Sequence, residues 1–242
     1  MIDLRRFGAA RTVAAVISLA WLGTAAVPAQ QPDESAVIQG IDAATKTRFE
    51  SIAGFTVTEH YTVYRGSDET HPAAEMTVKT TYRRETGKSY EILSESGPEL
   101  IRRFGLHPLL ENEKSINLPG NVEHSWFTSA NYGMKLKPGG IQQLDGRDCF
   151  ALVVTPKRKA PNMIAGTLWV DAKDFSIVQI EGTASKSPSI WTAPPHMMRN
   201  YTNVSGFAMS NHARAVSSSF LVGRTIVTID YRDYQIQLVP GK

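Results

Sequence analysis

The feature that most constrains this chain is a period-two alternation of apolar and polar residues, which is clearest over residues 166–182 (GTLWVDAKDFSIVQIEG). Leu168 and Val170 precede a four-residue turn, and Val178 and Ile180 follow it at alternating positions. Such alternation predicts half-buried β-strands, and so short a turn predicts that the two strands run antiparallel. Trp169 falls on the opposite face of this hairpin.

The same pattern predicts strands through most of the chain. We expect them over residues 55–63, 74–83, 90–92, 149–155, 167–171, 176–181 and 225–238, with a looser strand over 126–136. Val57 in the first strand and Met76 and Val78 in the second lie at apolar positions. Strands joined by short turns form a meander, whose apolar face must close into a barrel, pair with a second sheet or be covered by helices.

Three helices are predicted to supply part of that cover. Apolar residues at helical spacing and the capping residue Asp33 predict an N-terminal helix over 33–53. Two short helices are expected near residues 98–105 and 109–110, separated by a His-Pro pair. The predicted fold class is α+β: a single long curved antiparallel sheet with an N-terminal helix and a few short helices. Because the helices are short, we expect part of the apolar face to remain as a groove.

The first 29 residues have the pattern of a secretory signal peptide. Arg5, Arg6 and Arg11 precede an apolar run over 12–23, and small residues stand before a cleavage site after Ala29. The run is shorter than the roughly 20 residues that cross a bilayer. The expected mature chain, residues 30–242, forms one domain in the periplasm. Export by the general route and by the twin-arginine route both remain open.

Charge and cysteine content exclude several classes of protein. Removing residues 1–29 takes away three basic and one acidic residue, so 26 basic and 23 acidic residues become 23 and 22. A nearly neutral chain is not expected to bind nucleic acid, which requires a clustered basic face. Cys149, the only cysteine, is predicted to be buried in a strand. Because no cysteine follows the signal sequence directly, we expect a soluble protein without a lipid anchor.

Motifs for catalysis and for cofactors are missing from the sequence. It has no nucleophile elbow, phosphate-binding glycine loop or dinucleotide fingerprint. No metal site and no cofactor are predicted, because none of the six histidines stands at ligand spacing with a second histidine, a cysteine pair or an acidic motif. We therefore do not expect an enzyme, although a hydrolase of envelope components remains a third hypothesis.

A proline-rich loop over residues 187–201 carries a concentrated apolar surface. Trp191, Met197 and Met198 lie there among three prolines, which disfavour ordinary strand pairing. Two interpretations stay open: these side chains fill one end of the core, or they line the mouth of a lipophilic cavity, where methionine adapts to varied apolar partners.

Several short motifs together resemble the LolA/LolB-like superfamily, the exported bacterial proteins that sort lipoproteins to the outer membrane. The similarity covers roughly residues 131–234, and its most specific part is the hairpin quoted above. The motifs are Asp145-Gly146-Arg147-x-Cys149, Pro156-Lys157, Gly166-Thr-Leu-Trp169-Val-Asp171, Ile180-Glu181-Gly182 and Pro188-Ser189-Ile190-Trp191.

This resemblance implies a half-open barrel with a helical lid around a cavity for acyl chains. It implies a monomeric, non-enzymatic carrier for lipids or lipoprotein acyl chains, with lipoprotein-sorting proteins of the inner or outer membrane as possible partners. The alternative is an envelope-stress sensor of the RseB type. Arg48 and Arg65 are both conceivable counterparts of the carriers' functional arginine, and residues 206–209 depart from the family pattern. The predicted ligand-binding wall comprises Val57, Met76, Val78, Leu168, Val170, Val178, Ile180, Trp191, Met197 and Met198.

Overall fold

The computed structural model describes residues 33–187, 193–219 and 223–241. The predicted signal peptide and Trp191 lie outside these residues. Within them, no helix combines the length and the apolar character needed to cross a membrane.

Helix α1 (Glu34–Ser51) begins as the sequence predicts. The Asp33 side chain accepts a hydrogen bond of 3.0 Å from the backbone N–H of Ser35 and so caps the first turn. The helix ends at Ser51, before the predicted end, because Ile52 is already extended and starts the first strand. Helix and strand are therefore joined without a loop.

Ten strands form one antiparallel sheet in the described part of the chain. Their order is β3-β2-β1-β10-β9-β8-β7-β6-β5-β4, and the two edge strands, β3 and β4, do not pair with each other. The sheet is therefore open, and the predicted fold class is confirmed. The strands are β1 (Ile52–Arg65), β2 (Ala74–Arg83), β3 (Gly87–Ser96), β4 (Tyr132–Leu144), β5 (Arg147–Pro156), β6 (Ile164–Asp171), β7 (Ile177–Ala184), β8 (His196–Val204), β9 (Phe207–Ser219) and β10 (Gly223–Leu238).

A continuous helical segment over residues 99–116, called the cover from here on, connects β3 towards β4. It consists of α2 (Glu99–Ile101), a π-helical turn (Arg102–Leu106) and α3 (His107–Ile116). The prediction that the His-Pro pair separates two helices is wrong. The N–H of His107 bonds to the carbonyl of Arg102, five residues back, and this wider turn places Pro108 at the start of α3, where its missing N–H costs nothing.

Two strands were not predicted, and one starts later than expected. Strands β8 and β9 pair along their length with β7, β10 and each other, so the prolines before His196 end the loop and do not prevent pairing. The expected strand over 126–136 starts only at Tyr132. Before it, the Asn131 side chain donates hydrogen bonds to the carbonyls of Glu123 and Trp126 and holds that segment in a turn.

The inner face of the sheet carries two separate apolar clusters. One lies on β4–β7 and packs against Val37 and Ile41 of α1. The other lies on β1 and β2 and packs against Leu106 and Leu110 of the cover. Each helical segment therefore covers its own part of one sheet.

Gly166 and Gly182 face each other across β6 and β7 and allow an unusually close approach of the two backbones. A Cβ atom on Gly182 would stand 2.2 Å from the carbonyl oxygen of Ala165, and one on Gly166 would stand 2.1 Å from that of Glu181. No side chain fits at such distances, which explains why both positions of the hairpin are glycine.

Candidate ligand-binding site

A charged cluster joins the cover to the inner face of the sheet. The Glu113 carboxylate of α3 accepts a hydrogen bond of 2.9 Å from Lys88 Nζ on β3. Its other oxygen lies 3.7 Å from the Arg199 guanidinium on β8. The side chain of Asn117 donates to the backbone carbonyl of Glu113 and steadies the end of the helix.

The reach of Glu113 shows that the sheet is strongly curved. Strands β3 and β8 are separated by five strand-to-strand steps, which in a flat sheet amount to about 24 Å. One carboxylate touches side chains from both strands, so the sheet must curl around the cover. The concave side of this curl is the inner face.

The charges of the cluster stabilise one another. Burial acts to raise the pKa of the Glu113 carboxyl, but Lys88 and Arg199 outweigh it and lower that pKa to about 2. Burial likewise acts to lower the pKa of Lys88, and the carboxylates of Glu113 and Glu59 instead raise it well above its ordinary value. Lys88 and Glu113 are therefore both ionised at neutral pH.

Arg48 brings a further positive charge to the inner face from the last turn of α1. Its guanidinium donates to the carbonyl oxygen of Ala208 at 2.9 Å and to the sulfur of Met209 at 3.3 Å, both on β9. Neither acceptor carries a charge. Burial lowers the pKa of Arg48, against the opposing influence of tyrosines that include Tyr201 and Tyr234.

Tyr201 stands between Arg48 and Arg199. It lies two residues after Arg199 on β8, and strand alternation places both side chains on the inner face. Burial acts to lower the pKa of Arg199, but Tyr231, Tyr201 and Glu113 outweigh it and raise that pKa.

Buried polar groups extend this cluster towards β1 and β2. Glu59 is 2% exposed and accepts a hydrogen bond of 2.6 Å from the Tyr61 hydroxyl. Thr80 and Tyr90 pair across β2 and β3, and the hydroxyl group of each is buried with no hydrogen-bond partner among the described residues. An unpaired buried hydroxyl costs free energy, so both groups stand ready for a polar ligand or a water molecule.

The charged cluster is only partly closed to solvent. The side chain of Arg199 is 31% exposed and that of Glu113 is 25% exposed, although both belong to the inner face. The apolar clusters on either side are much more deeply buried. Solvent therefore reaches part of this cluster.

The predicted wall residues divide between the two apolar clusters. Leu168, Val170 and Ile180 belong to the cluster under α1, where Met197 packs at its margin. Met76 and Val78 belong to the cluster under the cover. The predicted residues thus form two separate apolar surfaces, each filled by side chains of its own helical segment.

Four other residues named from the sequence lie outside these two apolar clusters. Val57 and Val178 are buried but belong to neither cluster. Met198 pairs with Glu181 and Arg214 and, by strand alternation, lies on the opposite face from Met197, so it is not part of the inner wall. Arg65 lies exposed at the end of β1, whereas Arg48 reaches the inner face.

A surface cavity of about 370 Å³ opens beside the end of α3. It contains none of the predicted wall residues, and five of its six lining residues have polar side chains; the lining is Ser115, Ile116, Asn121, His124, Arg158 and Asn162.

The described residues include no group of three His, Cys, Asp or Glu side chains arranged to hold a metal ion. The Cys149 thiol is buried, as predicted, and burial raises its pKa. A raised pKa disfavours the thiolate, which is the nucleophilic form.

Sequence reasoning missed the charged cluster, although the sequence contains a signal for it. Glu59 occupies an apolar position in the alternation of β1, and Arg199 stands at the corresponding position between Met197 and Tyr201 on β8. Charges in the apolar phase of a strand indicate a polar site within the core. Lys88 and Glu113 carry no comparable signal.

Comparisons with known proteins give likenesses of fold only. No family model matches the chain, and no curated protein matches it. Among solved structures, a LolA superfamily protein from Nitrosomonas europaea is 13% identical, with 85% of this chain and 94% of that chain covered and a TM-score of 0.45. A domain described as a candidate outer membrane lipoprotein-sorting protein from Vibrio parahaemolyticus is 13% identical, with 84% and 92% covered and a TM-score of 0.46.

A third solved structure, a DUF1329 family protein from Desulfovibrio piger, is 13% identical over 85% of this chain and 94% of that chain, with a TM-score of 0.39. Likenesses this weak assign no ligand and no activity. The open ten-stranded antiparallel sheet with an N-terminal helix and a short helical cover is nevertheless the arrangement implied by the sequence resemblance to the LolA/LolB-like superfamily.

Proposed function

We propose that this protein is a periplasmic binding protein or carrier for the acyl chains of lipids or lipoproteins. The observation that supports this most directly is the packing of the cover. Leu106 and Leu110 project from it onto Tyr61, Met76 and Val78 and occupy the space that an acyl chain would fill. The chain enters when the cover swings away from the sheet.

The closed protein and the open protein with a bound acyl chain are comparable in free energy, so an acyl chain can replace the leucines of the cover. Exposing two buried leucines costs about 3–6 kcal/mol, and an acyl chain recovers about 0.8 kcal/mol for each methylene group that it buries. About four to eight buried methylenes therefore compensate for exposing the two leucines. The larger number is roughly half of a common fatty-acyl chain.

The attachment of the cover also supports movement. Gly97 precedes it with a φ of +92°, a conformation that favours glycine, so the chain turns sharply between β3 and the cover. Apart from its leucines, the cover is held by Glu113 and by contacts of Arg102 and His107 with Glu95 at the sheet edge. Helix α1, by contrast, runs directly into β1.

Binding of a fluorescent fatty-acyl probe tests this function, with displacement by unlabelled palmitate as the specificity control. Val78→Phe fills the cluster beneath the cover and is expected to weaken binding by about tenfold, since overpacking a core costs about 1–3 kcal/mol. Val153→Phe, on the exposed side of β5, is the matched control and leaves binding unchanged.

Circular dichroism establishes that each variant is folded. Should Val78→Phe fail to fold, Leu110→Ala serves instead: it empties space in the same cluster and is expected to bind the probe at least as tightly as the parent protein. A folded parent protein that binds no acyl probe would overturn the proposal.

A second candidate function, a protein-interaction module, has its own supporting observation. Strand β3 pairs only with β2 among the described residues, and Ile92 and Leu93 are exposed on it. Leu100 and Phe104 project from the adjoining cover and are 71% and 74% exposed. An exposed apolar edge of this kind accepts an added strand from a partner protein.

A photo-crosslinking residue placed at Ile92 tests this alternative, and the same residue at Ile141 on the other edge strand is the control. The module hypothesis predicts one discrete protein adduct from Ile92 that persists after lipid is removed. Equal adducts from both edges would contradict it.

A further inference from the structure

The inner face contains more positive charge than its carboxylates neutralise by direct pairing. Lys88 has Glu113 at 2.9 Å, but Arg199 has that same carboxylate only at 3.7 Å. The hydrogen bonds of Arg48 go to an uncharged carbonyl and a thioether. In the described part of the chain Arg48 thus has only uncharged acceptors, and Arg199 shares the single Glu113 carboxylate with Lys88, so an anionic ligand would improve the charge balance of this group.

Tyr201 lies between these two guanidinium groups along the sheet. It follows Arg199 by two residues on β8, and it pairs with Ser210, the neighbour of Met209, to whose sulfur Arg48 donates. Its hydroxyl group can both donate and accept a hydrogen bond. Two fork-shaped cations with a hydroxyl donor between them match the geometry of a phosphate or a carboxylate.

Both apolar clusters border this group of donors. Tyr201 and Met197 pack against the cluster under α1, while Glu113 lies on the cover that closes the other cluster. An amphiphile whose chain lies on the inner face can thus place its polar end beside Arg199. The partial exposure of Arg199 leaves an approach from solvent.

We propose that Arg48, Arg199 and Tyr201 bind the anionic group, a phosphate or a carboxylate, of the amphiphile whose chain the inner face accommodates, and that this anion draws Arg199 away from Glu113. Losing Arg199 removes one of the two cations that hold Glu113, and with it part of the attachment of α3. Recognition of the polar end therefore loosens the cover for the chain. This inference rests on the acyl-chain function proposed above.

The test compares three ligands with the same chain: palmitate, hexadecyl phosphate and uncharged hexadecanol. The full mature protein is expected to bind both anions at least about tenfold more tightly than hexadecanol, in line with charge-assisted hydrogen bonds. The two anionic ligands distinguish a carboxylate source from a phosphate source. Inorganic phosphate as a competitor shows whether the anion alone suffices.

Arg199→Gln is the decisive variant, and Arg214→Gln is its matched control. The two arginine side chains are 31% and 30% exposed, but Arg214 lies on the outer face and pairs with Glu69. Arg199→Gln is expected to abolish the preference for anions, and, because it also removes one of the two cations that hold Glu113, to bind hexadecanol at least as tightly as the parent protein does. Arg214→Gln is expected to change neither. Equal weakening of all three ligands by Arg199→Gln would overturn the inference.

Amide hydrogen exchange measures the loosening of the cover separately. Hexadecyl phosphate is expected to speed exchange over α3 more than hexadecanol does, and Arg199→Gln is expected to remove that difference. If α3 exchanges alike with both ligands, the coupling to the cover is refuted. If hexadecanol binds as tightly as the anions, only the anion site fails, whereas if none of the three ligands binds, the acyl-chain function fails as well.

Discussion

Lys88 and Glu113 form a hydrogen-bonded ion pair of 2.9 Å that fastens helix α3 to the edge strand β3. The Lys88 side chain is only 13% exposed, so the pair is shielded from much of the screening that weakens surface ion pairs. Because the cover carries the leucines that fill the inner face, this pair contributes to holding the protein closed.

Breaking the Lys88–Glu113 pair is expected to destabilise the closed state. Lys88→Met leaves Glu113 with only the more distant Arg199, and we expect a loss of about 2–3 kcal/mol in the free energy of unfolding, because the partly buried carboxylate loses its hydrogen-bonded cation. Urea denaturation measures it. Lys46→Met removes an exposed lysine that pairs with Glu50 at 3.8 Å and should change stability by less than about 0.5 kcal/mol. Equal effects of the two substitutions would contradict this role.

Acidification is expected to lower the free energy of unfolding by protonating Glu113. Its pKa is lowered in the folded state to about 2 from an ordinary 4.5, so its stabilising contribution is fully present above pH 4.5 and is lost as pH falls from 4.5 towards 2. Linkage gives about 3 kcal/mol for a shift of this size as an upper value.

Thermal unfolding of the parent protein and of Glu113→Gln across this pH range measures the contribution. The amide cannot titrate, so the variant should show a shallower loss of stability on acidification. Parallel pH profiles for the two proteins would show that Glu113 contributes nothing to the acid response.

Two leucines of the cover are expected to differ sharply in their contribution to the stability of the fold. Leu106→Ala removes a fully buried side chain from the cluster with Met76 and Val78, and we expect it to lower the free energy of unfolding by about 2–5 kcal/mol. Leu100→Ala removes an exposed side chain from the same segment and should change stability by less than about 0.5 kcal/mol. Chemical denaturation compares the two, and a similar loss from both would mean that the cover does not pack as described.

Gly182→Ala is expected to destabilise the sheet by about 2 kcal/mol or more, because the new methyl group collides with the Ala165 carbonyl unless β6 and β7 separate. The matched control is Gly133→Ala on β4, where an added Cβ meets the Thr155 carbonyl oxygen at an ordinary 3.8 Å. The melting temperature of each variant reports the difference. A Gly182→Ala protein as stable as the control would refute the close approach of the two strands.

Sequence patterns predicted the structure correctly where a single local interaction determines it. The Asp33 cap, the alternation of β2 and the hairpin over residues 166–182 are all present, because capping and burial of alternate residues depend on neighbours in the chain. Strand β8 was missed because two prolines precede it, and its pairing is determined by β7 and β9. The continuous cover was missed because a π-helical turn accommodates Pro108.

The candidate site was predicted in part. Apolar wall residues such as Val78 and Ile180 were recognised from alternation, and the structure places both on the inner face. Arg48, Arg199 and Glu113 come from α1, β8 and α3, which are far apart in sequence. No local pattern specifies which of many charged residues will meet.

The amino-acid sequence by itself determined an antiparallel sheet with an N-terminal helix, because periodic burial and turn residues act over short distances. Only the tertiary structure decided that the sheet curls enough for Glu113 to contact both Lys88 and Arg199, and that the cover fills the inner face. The physical reason is that curvature and charge pairing depend on contacts between residues that are distant in the chain and become neighbours only when the sheet is complete.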